Sequence, residues 1–221
     1  MPHTLRSHIC NLLWMVFTGQ WRTALWRLNL YRRGVELSMA GLDETGLDPG
    51  RANDYSNSGG PRLESILKTL LDNSPSGCII DLGCGKGGAM ISLARYFSRV
   101  DGLELSERLI PIARENLRRA GANNAQVFHG DAAEFTDFDQ YTHIYLSNPF
   151  PAAVMRRVLE HVLESLKRRP RELTIIYWIH VDDALLAEKG FRKVREFAHR
   201  SLPAAVYKAP AATCEPLQAS G

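Results

Sequence analysis

The run Asp81-Leu82-Gly83-Cys84-Gly85-Lys86-Gly87-Gly88 constrains this chain more than any other feature. A short apolar stretch, 78–82, leads into it. Met90, Leu93, Ala94 and Phe97 follow at helical spacing. Glycines between a strand and a helix let the backbone turn tightly and let a ligand touch the main chain. The helix start then offers N–H groups with no partner inside the helix. A strand, a glycine loop and a helix thus form the beginning of a nucleotide-type βαβ unit.

The rest of the chain repeats that alternation. Leu63, Ile66, Leu67, Leu70 and Leu71 predict a helix before the loop. Strands are predicted at 78–82, 100–105, 125–128, 143–147 and 173–179. Two more, 193–198 and 205–208, close the chain. Helical spacing recurs in Leu109, Ile112, Ala113 and Leu117, and again across 154–166. The stretch 173–179 is apolar throughout, as in a strand buried on both faces. Strands alternating with helices argue for an α/β fold with a mostly parallel sheet and helices on both faces. Residues 41–61 are rich in Gly, Pro, Asn, Asp and Ser, and read as a linker or loop rather than a packed element.

Composition removes several classes. Hydrophobic residues are 45% and charged residues 23% of 221, so a disordered chain, a collagen and a polytopic membrane protein are excluded. Cys10, Cys78, Cys84 and Cys214 form no CxxC pair, which points to a reducing, cytoplasmic compartment and no structural zinc. Asp182-Asp183 lacks further ligands at metal spacing, so no metal is expected. The net charge of +3 carries no argument for nucleic acid. No basic stripe with stacking aromatics lies on the core, and nucleic acid is disfavoured as a partner. The runs Arg156-Arg157 and Lys167-Arg168-Arg169 read as solvated helix faces.

The N-terminus stands apart. Residues 1–33 hold Arg6, Arg22, Arg27, Arg32 and Arg33, with Trp14, Trp21 and Trp26, and no acid. The apolar run 9–17, interrupted by Asn11, is too short to span a bilayer. Its readings are a signal peptide, a transit peptide, an interfacial helix in peripheral membrane contact, or a helix packed on its own domain. The last is favoured, because surface helices bury their apolar stripe that way.

The glycine loop can be assigned a ligand by elimination. A P-loop needs Ser or Thr after Lys86, where Gly87 stands. Gly83, Gly85 and Gly88 match the dinucleotide pattern GxGxxG, with Glu104 placed for a ribose. S-adenosylmethionine also has a ribose, so Glu104 does not discriminate. Asp81 does: it would repel a pyrophosphate and attract an ammonium. Gly130-Asp131-Ala132 adds an acid suited to an adenine amine. Asn148-Pro149-Phe150-Pro151 ends the fourth strand at the edge where open α/β sheets bind ligands. The nucleotide module also fills nearly everything after residue 61, leaving no substrate domain for an NAD-dependent oxidoreductase.

These motifs together resemble a class I S-adenosylmethionine-dependent methyltransferase. DLGCGKG at 81–87 resembles its motif I, VDGLELS at 100–106 its ribose-binding strand end, GDAAEF at 130–135 its adenine-side motif, and NPFP at 148–151 its strand-four motif. The likeness covers roughly 62–208. It implies a seven-stranded sheet of Rossmann-like type whose last strand is antiparallel. It divides the chain into an N-terminal basic, aromatic helical extension and loop (1–61), a methyltransferase domain (62–210) and a tail (211–221). Within the family the chain is similar to small bacterial enzymes with DLGxGKGR, NPF and an upstream Tyr-containing loop. Two departures stand out: Gly88 replaces Arg, and Tyr55-Ser56-Asn57-Ser58 replaces Tyr-Glu-Pro-Thr.

The resemblance implies roles. Gly83, Cys84, Gly85 and Gly87 form the cofactor loop, Asp81 holds the amino end, Glu104 and Leu105 the ribose, and Asp131 and Ala132 the adenine. Tyr55 and Ser58 contribute from the upstream loop. Asn148, Pro149 and Phe150 face cofactor and acceptor. Read from its place after the apolar fifth strand rather than from the resemblance, His180 is a candidate general base at the catalytic edge. The expected reaction is in-line methyl transfer, leaning to a nitrogen of a small molecule or protein side chain. Phe150 stands where relatives that flip bases carry a second Pro. Plainer roles compete: a turn cap for Asp131, a turn for Asn148-Pro149, core packing for Phe150, surface loop for Tyr55, and a strand-end contact for His180. A non-catalytic module that only binds the cofactor is the remaining alternative.

Overall fold

A computed structural model of the chain describes residues 15, 19–71, 77–179, 181–198 and 203–210. His180, the tail 211–221 and all of the apolar run 9–17 except Met15 lie outside the described residues.

Helix α1 (Trp21–Arg32) and a single turn, α2 (Leu42–Thr45), precede α3 (Pro61–Leu70). Then come β1 (Cys78–Leu82), α4 (Gly88–Leu93), β2 (Arg99–Glu104), α5 (Ile110–Ala120), β3 (Ala125–His129) and β4 (His143–Ser147). Helix α6 (Ala152–Arg168), β5 (Thr174–Trp178), α7 (Asp183–Glu188), β6 (Arg192–Phe197) and β7 (Ala204–Lys208) complete the described elements. Helix α4 is shorter than the spacing to Phe97 suggests. Its last turn tightens, with Tyr96 and Phe97 N–H both bonded to the Leu93 carbonyl.

Seven strands form one sheet in the order β3-β2-β1-β4-β5-β7-β6. The first five in sequence pair in parallel. Strand β7 is antiparallel to both β5 and β6, so the chain closes with the hairpin the resemblance implies. Edge strand β6 is charged and carries a bulge between Lys193 and Arg195, features that discourage pairing with another chain.

Strand side chains alternate between two cores. Ile80, Leu82, Ile144, Leu146, Ile175 and Tyr177 meet Met155, Val158, Leu159 and Val162 of α6. Ile79, Tyr145, Ile176 and Trp178 point the other way. They meet Leu63, Ile66 and Leu67 of α3, Met90 and Leu93 of α4, and Ile110 and Leu117 of α5. Both faces are covered, which explains the mostly apolar make-up of β1 and β5. Leu30 of α1 and Val35 join the second core, so one side of α1 packs on its own domain.

The segment 41–61 is packed, against the expectation of a linker. Ala40 and Tyr55 form an antiparallel bridge. Thr45 and Ala52 are buried. The Ser106 hydroxyl donates to the Thr45 carbonyl at 2.7 Å. Turn-forming residues here build a strap across the sheet edge. Among the described residues no helix is long and apolar enough to cross a membrane.

Candidate active site

The carboxyl ends of β1 to β4 open into a cleft of about 780 Å³, counting space continuous with solvent. Asp81, Gly83, Cys84, Gly85, Glu104, Leu105, Asp131, Ala132, Asn148, Pro149 and Phe150 line it, and the strap adds Tyr55 and Ser58. Residues separated by up to about 95 positions thus meet because parallel strands all end on one edge. Gly87 does not join them: it faces Ala113 and Leu117 of α5. Its left-handed backbone shapes the turn into α4 instead.

Asp81 is the most perturbed acid. Its side chain is buried, and among the described residues no side chain donates a hydrogen bond to it. Burial, and then the negative Glu104, push its carboxyl up from the ordinary 3.8 to about 8. Glu104 is anchored differently. It accepts the Gly85 N–H at 2.7 Å and the Ser106 N–H at 2.8 Å, so it also fixes the glycine loop. Burial raises its pKa, and these backbone donors pull against that shift. The Cys84 thiol is raised well above its usual value by burial and by both acids, which leaves it a neutral filler.

Asp131 is already engaged on both oxygens. One accepts the Ala133 N–H at 2.9 Å, capping the following turn, and the other pairs with Arg51 of the strap. Asn148 sits at φ +47°, a left-handed conformation that Asn tolerates better than most residues. The strap holds it there. Asn53 Nδ2 donates to the Asn148 carbonyl at 3.0 Å and to Oδ1 at 3.4 Å, and the Asn53 N–H donates to the Pro149 carbonyl at 3.1 Å. Phe150 is buried within the core beneath the cleft. It both packs in that core and borders the cleft.

One buried hydroxyl in the cleft wall, Tyr55 OH, has no hydrogen-bond partner. Buried polar groups are normally paired, so such an atom marks a place for a polar ligand. Burial, with the acids Glu36 and Asp81 nearby, pushes the Tyr55 phenol upward and keeps it protonated. Its ring lies against Gly85, where any Cβ would collide with it. Lys86 covers the ring at 5.7 Å from the centroid and pairs with Glu36 at 2.8 Å.

Sequence reasoning missed Arg51 and Asn53. Their segment has no periodicity, and only the fold brings it to the cleft. It also treated the two departures from the subgroup as separate. They are neighbours: a side chain on Gly88 would run into Asn57. Glycine in the loop and Asn in the strap therefore fit each other.

Residues 79–169 match the family model of a methyltransferase domain. A probable cobalt-precorrin-6B C(15)-methyltransferase (decarboxylating) of Methanococcus maripaludis is 27% identical over 124 residues, 56% of this chain and 64% of that one. An uncharacterized RNA methyltransferase of Clostridium tetani is 30% identical over 107 residues, 48% of this chain and 24% of that one. The chain therefore spans 64% and 24% of the lengths of these curated relatives. A crystal structure of an RNA methyltransferase from Salinibacter ruber in complex with S-adenosyl-L-homocysteine superimposes with a TM-score of 0.54 at 20% identity. That match covers 67% of this chain and 91% of that one. The chain thus shares a Rossmann-like fold with that neighbour, with a mostly parallel sheet.

Proposed function

We propose that the chain is an S-adenosylmethionine-dependent methyltransferase acting on a nitrogen acceptor. The observation that carries this reading is the buried Asp81 carboxyl beside the glycine loop, to which no described side chain donates, with Tyr55 OH unsatisfied in the same wall. A ligand bearing an ammonium and further polar groups fits those atoms, whereas a pyrophosphate would meet Asp81 with like charge. Gly83 and Gly85 would allow close backbone approach. Glu104 and Leu105 border the place for a ribose, and Asp131 and Ala132 that for an adenine. The sulfonium supplies an already activated methyl group, so the protein's part is orientation. Good orientation can account for about 7–11 kcal/mol of a barrier.

On the acceptor side, Asn148 and Pro149 present carbonyl oxygens already bonded by N–H groups of Asn53. Those contacts support a nitrogen-bearing acceptor, which would take over the hydrogen bonds of Asn53. The disfavouring of nucleic acid as a partner does not stand. It rested on a missing basic stripe, and an RNA methyltransferase is among the relatives. Nucleic acid, protein and small amines are all acceptor classes to be tried.

Isothermal titration with S-adenosylmethionine, S-adenosylhomocysteine and NAD tests the reading, repeated on Asp81→Ala and Glu104→Ala. Binding of the first two, weakened in both variants, supports it. Binding of NAD alone would overturn it. Labelled-methyl transfer to RNA, protein and amine pools then selects the acceptor class.

A further inference from the structure

Helix α1 is apolar on two sides. Inward, Ala24 and Leu30 are buried and Trp26 packs against the second core. Outward, Trp21, Leu25 and Leu28 are 56%, 58% and 39% exposed. At spacings of four and three residues, these three form one stripe, and Arg32 continues it. The inward side is covered by the protein's own core, and the outward stripe is not.

The surrounding charge identifies the missing partner. Arg22, Arg32 and Arg33 are exposed on or beside the helix, and Glu36 is the first acid in the chain. Glu36 is itself paired with Lys86. Below the helix end, Arg118 and Arg119 add charge, shared with Glu115. Tryptophan and leucine beside arginines, with no acid on the helix, match an anionic bilayer surface. The rings and alkyl chains enter the headgroup region while the guanidinium groups meet lipid phosphates. We infer that α1 docks the protein on anionic membranes through Trp21, Leu25 and Leu28. This inference stands on the helix alone and does not depend on the proposed activity.

The test is co-sedimentation of the full chain with vesicles of phosphatidylcholine, alone or mixed with phosphatidylglycerol. The protein should follow the mixed vesicles, bind neutral ones weakly and be released by salt. Trp21→Ser with Leu25→Ser should lower partitioning at least about tenfold. Arg22→Gln and Arg32→Gln should lower it by about fivefold each. These positions are exposed, and unchanged melting temperatures would show the variants folded. Absence of sedimentation, equal binding to neutral vesicles, or unchanged binding of Trp21→Ser/Leu25→Ser would overturn the inference. So would a wild-type dimer, seen by analytical ultracentrifugation, that ignores vesicles and falls apart in the double variant, since a second copy would then be the occupant.

Discussion

The role proposed for Asp81 makes cofactor binding a proton-linked event. With its pKa at about 8, the carboxyl is mostly neutral at pH 7. Holding an ammonium requires the carboxylate, so ionising it costs about 1.4 kcal/mol at pH 7 and about 2.7 kcal/mol at pH 6. The amino group of S-adenosylhomocysteine stays protonated in that range, being an α-amine of pKa about 8. Its dissociation constant should therefore rise about tenfold from pH 7 to pH 6. Titration calorimetry in two buffers of different ionisation enthalpy should record about one proton released per ligand at pH 6. Asp81→Asn should bind weakly, without proton release and with a flat pH profile. A flat profile in the wild type, or the same proton release in Asp81→Asn, would refute the reasoning. Stability follows the same linkage with a definite sign. A carboxyl raised above its unfolded value favours the fold at pH below about 4, and that contribution disappears as pH rises through about 8. Asp81→Asn should thus melt above the wild type at pH 8, and the gap should close towards pH 4.

Three further outcomes test other parts of the structure. Gly85→Ala places a Cβ into the Tyr55 ring at a φ of +55°, so it should cost about 1–3 kcal/mol in chemical denaturation and weaken S-adenosylhomocysteine binding in calorimetry. Asn53→Ala removes the side-chain hydrogen bonds to Asn148, and tryptic cleavage after the exposed Arg51 should become faster by about fivefold or more. Tyr141→Phe deletes a 2.6 Å hydrogen bond to the buried Asp101, away from the cleft. Urea unfolding should show a loss of about 1.5–3 kcal/mol, with cofactor affinity unchanged.

The parts of this protein legible in its sequence are those governed by local periodicity. Short apolar runs placed β1, β4 and β5, and the alternate residues of each divide between the two cores. Helical spacing located α3, α5 and α6 to within a few residues. The cleft was legible too, in large part, because parallel strands bring their following loops to one edge. Asp81, Glu104, Asp131 and Asn148 meet there although their motifs lie far apart in the chain.

Position in the sequence could not settle ionisation or coverage. Asp81 is nearly neutral at pH 7 because of its burial and of Glu104 on the neighbouring strand, and both are products of packing. The strap has no periodic pattern, since each of its residues answers to a distant partner: Asn53 to Asn148 and Pro149, Arg51 to Asp131, Thr45 to Ser106, Tyr55 to Gly85. Turn-forming residues announce only that the chain bends. Where it bends to depends on a surface that exists once the sheet has formed. The amino-acid sequence by itself thus determined the α/β layers and the motifs at the sheet edge. Tertiary structure decided which of those motifs are already occupied, and by what.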